Sequence, residues 1–164
     1  MIRTSSTHPL HIATIECLGL ELRAGSRFKL GRIGITLCPG KRQPAALTGG
    51  WARDLDLDLA AIEQWGAAVV VTLTEAHELK ALGVAYMGAR VRSHHMDWVH
   101  LPIVDVSVPD TRFEQAWHIH GEGLRARLRN GFDILVHCKG GLGRAGTIAA
   151  RACPGPAALS PSRT

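Results

Sequence analysis

Residues 132–148 read FDILVHCKGGLGRAGTI, and the fold depends on how this stretch is parsed. Ile134, Leu135 and Val136 make a short apolar run that leads into His137 and Cys138. A run of this length ahead of a glycine cluster predicts a buried strand over 132–138. Gly140, Gly141 and Gly143 then break the extended chain. From Gly143 to Ala152 the residues favour a helix, so the stretch is expected to be strand, tight loop, helix.

Two chemistries compete for the loop. Gly141, Gly143 and Gly146 form a formal G-x-G-x-x-G, the pattern of a dinucleotide-binding turn. That turn needs an acidic residue about twenty positions further on to hold the ribose. No Asp or Glu follows Asp133, so this reading fails. A Walker loop fails as well, because no G-K-[ST] is present. The other reading joins Cys138 to Arg144 as C-x5-R. Lys139, Gly140, Gly141, Leu142 and Gly143 would form an arc whose N–H groups converge on an anion. The helix behind them adds its positive N-terminal end. A thiol in that field is expected as the thiolate, the reactive form. Arg144 has the planar fork that binds two phosphoryl oxygens. One short segment thus holds the parts for thiolate attack on a phosphate monoester.

Outward from the loop, strands and helices alternate. A strand is expected near 11–17 and another over 32–38, followed by a Pro- and Gly-punctuated loop over 39–50. A helix is expected over 53–66, with an acidic first turn and a stop at Gly66. Then come a buried strand over 67–74, a helix over 75–83, a strand over 95–103 and a long helix over 111–131. This order predicts an α/β domain with a central, mainly parallel twisted sheet flanked by helices. The domain is expected over 1–152. The Pro-rich segment 153–164 cannot extend the helix and is expected as a disordered tail.

Composition bounds the partners. The chain has 164 residues, 46% hydrophobic, with a formal net charge of +5, enough for one domain with a core. The basic balance suits an anionic ligand. With one Tyr, three Phe and no basic stripe interleaved with aromatics, nucleic acid is not expected as a partner. No run approaches the ~18 apolar residues of a membrane span, and the N-terminus is not a signal segment. The four cysteines show no C-x-x-C, so free thiols in a reducing cytoplasm are expected. Asp54, Asp56 and Asp58 have the start of a calcium loop, but Leu59 and Trp65 stand where it needs Gly and Glu. They are read as a helix start. His94, His95 and His100, and the pair His118 and His120, lack zinc-site spacing; no metal or other cofactor is expected.

The segment VHCKGGLGRAGT resembles the H-C-x5-R signature of the Cys-dependent protein tyrosine and dual-specificity phosphatases. GGLGR after H-C is most similar to the kinase-associated phosphatase (cyclin-dependent kinase inhibitor 3) subgroup. The resemblance continues through GITLCPGKRQ, VVVTLTEAHEL and HLPIVDVSVPD, and covers about residues 31–152. It implies Cys138 as nucleophile and Arg144 as phosphate ligand. It implies a phosphate cradle formed by Lys139, Gly140, Gly141, Leu142, Gly143 and Arg144. It also implies a general acid on the loop after Pro102-Ile103, where Asp105 is preferred and Asp110 is the alternative. His137 is expected to orient the loop and to help keep Cys138 ionised. Lys139 is either a substrate contact or a solvated charge, and Glu75 either braces the loop or caps the helix over 75–83.

Departures from the pattern matter too. The residue after Arg144 is Ala145, where relatives carry a hydroxyl that bonds the leaving thiolate. Thr147 substitutes only if the first helical turn directs it inward. Relatives also continue past the signature with several helices, so a C-terminally truncated domain is expected, with apolar surface exposed. Cys17 and Cys38 are considered as disulfide partners of Cys138, without support from spacing. The expected function is hydrolysis of phosphotyrosine or phosphoserine/threonine in proteins through a phosphocysteine. The alternative is a weak or inactive remnant that binds phosphate or phosphopeptide. Oligomeric state is not legible.

Overall fold

The computed structural model describes residues 1–17, 29–47, 49–105 and 107–154; of the tail expected over 153–164, residues 155–164 lie outside them. The elements run β1 (Ala13–Glu16), β2 (Arg32–Thr36), β3 (Arg42–Gln43), β4 (Trp51–Ala52), α1 (Leu55–Trp65), β5 (Ala67–Thr72), α2 (Ala76–Ala81), α3 (Met87–Ser93), β6 (Asp97–His100), α4 (Thr111–Arg129), β7 (Asp133–His137) and α5 (Gly143–Ala152). Five strands form one sheet in the order β1-β2-β7-β5-β6. β2, β7, β5 and β6 run parallel, and β1 lies antiparallel on the edge. The sheet is thus mainly parallel, as the alternation of elements predicted.

Alternation along the strands divides the core into two layers. Ile33, Val69, Val71, Ile134 and Val136 face one side with Phe113, Trp117, Leu128 and Ile148, beneath α4 and α5. Val70 and Leu135 face the other with Leu59, Ile62, Met87 and Val91, beneath α1, α2 and α3. Residues one apart point to opposite faces of a strand. Only a strand covered on both sides can therefore read as an unbroken apolar run.

Helix ends follow local chemistry. The Asp54 carboxylate accepts from Leu57 N–H and caps α1, while Gly66, at φ 107°, ends it. The three aspartates of this stretch are all engaged within the protein. Asp56 pairs with Arg90, and Asp58 is bound by Arg53 Nε at 2.8 Å and Nη2 at 2.9 Å. Asp58 also accepts from Gly40 N–H at 2.8 Å. Both side chains of the Arg53–Asp58 pair are only 1% exposed.

Two features went unread in the sequence. The β3–β4 ribbon has two residues per strand, too few for a pattern. α3 has seven residues, and its Gly88 is required by packing, since a Cβ there would lie 2.5 Å from the Trp98 ring. The strand expected over 95–103 ends at His100, because Pro102 cannot donate to a ladder. The chain nevertheless stays against β5, with Leu101 N–H on Thr72 O and Ile103 N–H on Leu73 O, each at 2.9 Å.

The buried Arg53–Asp58 pair gives a stability test. Asp58→Ala leaves the Arg53 guanidinium shielded and without its carboxylate, at a cost of ~3–5 kcal/mol. Urea unfolding of the two proteins measures the difference.

Candidate active site

Four parallel strands put their carboxyl ends on one edge of the sheet, and ligand sites of α/β proteins form at such an edge. The segments that leave β2, β5, β6 and β7 carry Cys38, Glu78, Asp105 and Cys138 respectively. β7 is central, so its loop meets the other three. The loop crosses the end of β2 so closely that a Cβ on Gly141, at φ 76°, would lie 2.6 Å from Leu37 N. Of the arc glycines, only Gly141 is demanded by this approach; Gly140 and Gly143 face open space. The Lys139 carbonyl holds the loop from behind, accepting from Cys38 N–H and from Lys41 Nζ, both at 3.3 Å. Lys41 is buried, which lowers its pKa.

Cys138 is 3% exposed, and its Sγ accepts from Gly141 N–H at 3.3 Å. α5 starts at Gly143 with Leu142 before it and no side-chain cap. Its first-turn N–H groups therefore have no helical acceptor and favour an anion. A cavity of about 550 Å³ opens here, lined by Asp105, Ser107, Val108, Cys138, Gly140, Leu142, Gly143, Arg144 and Thr147. Lys139 and Gly141 belong to the back of the loop rather than to this lining.

Arg144 is held by two acceptors deep in the protein. Its Nη1 donates to Glu78 Oε2 at 2.8 Å and to the Ile103 carbonyl at 2.9 Å. Its Nη2 donates to Glu78 Oε1 at 3.1 Å and lies 3.2 Å from Asp105 Oδ1. Burial alone would raise the Glu78 pKa, but the bonds from Arg144 and from Glu75 N–H outweigh it and hold Glu78 below its usual value. Burial opposes the charge on Arg144 too, and Glu78 reverses that effect. Glu78, not Glu75, therefore braces the signature arginine. Glu75 caps α2 in a capping box whose other member is Glu78. The spacing Glu75-x-x-Glu78 after an apolar strand was the available signal. It marks the helix start but does not say that the second carboxylate reaches a residue 66 positions away.

The candidate acids separate by place. Asp105 lines the cavity, whereas Asp110 caps α4 by accepting from Phe113 N–H at 3.0 Å. Asp110 is held below its usual pKa chiefly by that bond. Thr147 also lines the cavity, but its hydroxyl donates to Gly143 O at 3.1 Å. It turns back onto its own helix and does not supply the thiolate contact missing at Ala145, which is fully buried. Cys38 is sealed, its thiol against Pro39 O at 3.7 Å, and burial pushes its pKa up to about 12. Cys17 lies against Cys153, not Cys138. His94 sits between Asp56 and Glu63, and no metal-binding cluster occurs among the described residues.

His137 is fully buried and lies opposite Thr72 in the β5–β7 register. Its Nε2 is 2.8 Å from Thr72 Oγ1, which also accepts from Trp98 Nε1 at 2.8 Å. Burial is the main cause that takes its pKa from 6.5 to about 3, with His100 and Arg144 adding to it. The imidazole is therefore neutral at working pH and acts on the loop by position. Because its folded value lies below the unfolded one, the unfolded chain takes up the proton first on acidification. Its share of stability is complete above about pH 6.5 and is withdrawn toward pH 3. Urea unfolding at pH 7.5 and pH 5 should show a larger acid loss in the native chain than in His137→Asn.

Residues 50–153 match the family described as "Polymorphic toxin system, DSP-PTPase phosphatase". No curated protein matches the sequence. The structure is similar to kinase-associated phosphatase carrying serine in place of its catalytic-site cysteine. The TM-score is 0.68 at 21% identity, over 88% of this chain and 73% of that one. It is also similar to Tk-PTP in the active form, with a TM-score of 0.52 at 27% identity, over 72% of this chain and 64% of that one. No described helix is long and apolar enough to cross a membrane. With the family match spanning most of its length, the chain belongs to the DSP-PTPase family of protein tyrosine and dual-specificity phosphatases.

Proposed function

We propose that the chain hydrolyses phosphotyrosine or phosphoserine/threonine in a phosphoprotein through a phosphocysteine, in the cytoplasm. Nucleic acid, membrane and cofactors have no part in the reaction. One observation carries the reading: Cys138, Arg144, Asp105 and the uncapped start of α5 share a single cavity. Phosphate enters against the N–H groups of the loop and the first turn of α5. Cys138 Sγ attacks phosphorus, forming the S–P bond as the ester P–O bond breaks. Asp105 gives its proton to the departing oxygen. The Asp105 carboxylate then takes a proton from water, which attacks phosphorus and releases inorganic phosphate and the Cys138 thiolate. Phosphate and Asp105 compete for Arg144 Nη2, so substrate binding frees the carboxyl to turn toward the leaving oxygen. Gly141 N–H remains on the sulfur throughout. On this reading residues 1–152 form the functional domain.

A second reading, a phosphate- or phosphopeptide-binding remnant, is favoured by Ala145 and by the Thr147 hydroxyl, which bonds back to its own helix at Gly143 O. Both leave the departing thiolate without a hydroxyl. Binding of inorganic vanadate with no release of alcohol from an aryl phosphate would select it.

Aryl-phosphate hydrolysis by the full chain, free of added metal, tests the enzyme. Cys138→Ser should reduce turnover to the uncatalysed rate; retained activity would exclude the mechanism. Asp105→Ala should lower kcat by ~10²–10⁴. Asp110→Ala should instead cost ~1 kcal/mol of stability as a lost helix cap, and the reverse order would reassign the acid. For Glu78→Gln, misplacement of Arg144 should lower kcat/KM by roughly 10²-fold and weaken vanadate inhibition in parallel.

A further inference from the structure

The four cysteines fall into three environments, and the function uses one of them. Cys138 belongs to the loop, and Cys38 is sealed beneath it. Cys17 directly follows the edge strand β1, and Cys153 directly follows α5. The two sulfurs lie 2.6 Å apart. That is far inside ordinary sulfur–sulfur contact and about half an ångström from the ~2.05 Å of a disulfide bond. Both side chains pack on the core layer that contains Ile33, Trp117, Leu128 and Ile148. The separation is thus set by the two cysteines packing on a common core, Cys17 just after the strand that pairs with β2 and Cys153 at the end of α5.

We propose that Cys17 and Cys153 are an oxidation site, forming a disulfide that staples the end of the signature helix to the edge of the sheet. The co-reactant is a low-molecular-weight disulfide such as oxidised glutathione. Cys153 is the more exposed of the two and reacts first. Its thiolate attacks one sulfur of the oxidant, forming a mixed disulfide and releasing one equivalent of thiol. The Cys17 thiolate then attacks the Cys153 sulfur and releases the second. Two electrons pass to the oxidant, which leaves as two thiols carrying the two protons. Burial, with Cys153 and Glu16 adding to it, pushes the Cys17 pKa up to about 12 while both thiols are free, which leaves Cys153 as the first to react. In a reducing environment both groups stay as thiols.

The closed ring runs from 17 to 153 and so encloses β2 through α5, every element that contributes to the cavity. A cross-link of that span acts mainly by restricting the unfolded chain. It also fixes the far end of the helix whose first turn carries Arg144. The site is not needed for the reaction, so this inference stands or falls apart from the phosphatase reading.

The test uses the full chain with Cys138→Ser, which removes the competing site thiol. The protein is held at pH 8 with oxidised glutathione or with dithiothreitol, then alkylated and digested with trypsin without reduction. The expected product joins peptides 4–23 and 152–163 with the loss of two hydrogens, while Cys38 remains a thiol. Thermal unfolding of the oxidised protein should rise by on the order of 10 °C. The rise should vanish when Cys153→Ser is added. A glutathione adduct on Cys153 without the 17–153 link would overturn the proposal, as would a link that leaves Tm unchanged.

Discussion

The site depends on a bidentate ion pair that hardly meets water. Arg144 and Glu78 are 4% and 11% exposed, and neither charge is tolerable in that place without the other. Glu78 reaches Arg144 only because α2 starts directly after β5, and Arg144 reaches Glu78 only because α5 starts directly after the β7 loop. The pair therefore turns strand order into site geometry. The Ile103 carbonyl completes the clamp from the segment after β6. Three neighbouring strand ends are joined through one guanidinium, which leaves its Nη2 edge toward Asp105 and the cavity.

Around this clamp the charges are arranged for an anion. The loop turns N–H groups inward because Gly141 alone can approach the end of β2, and Lys41 holds Lys139 from behind. His137 contributes no charge. Buried between Thr72 and the core, it is a neutral spacer that fixes where β7 ends and the loop begins. Positive character around Cys138 comes from backbone dipoles and Arg144. The site thus keeps its polarity over a pH range in which a solvent-exposed histidine would titrate.

The strand, loop and helix around Cys138 were legible because they are local. Cys138, the glycine arc and Arg144 lie within one strand-loop-helix unit, and α5 covers the predicted residues 143–152. The parallel sheet was legible for a related reason: strands covered on both faces are written as continuous apolar runs. Boundaries were less legible where packing overrode pattern. Pro102 cut β6 short, and Gly88 masked α3 because the Trp98 ring needs its space. The spacing of Pro102, Ile103 and Asp105 favoured Asp105 over Asp110, and the structure puts Asp105 in the cavity lining and Asp110 at the cap of α4.

By itself, then, the sequence determined the alternation of strands and helices, the C-x5-R loop and the absence of any acidic residue after Asp133. These are properties of consecutive residues, set by side-chain period, glycine freedom and charge. Only the tertiary structure decided which distant residues complete the loop. Glu78 rather than Glu75 meets Arg144, Thr147 turns away from the thiol, and Cys17 finds Cys153 instead of Cys138. Each of these contacts spans separate elements or depends on the direction of a side chain. Strand order and the packing of two core layers control both, and neither is written in residue spacing.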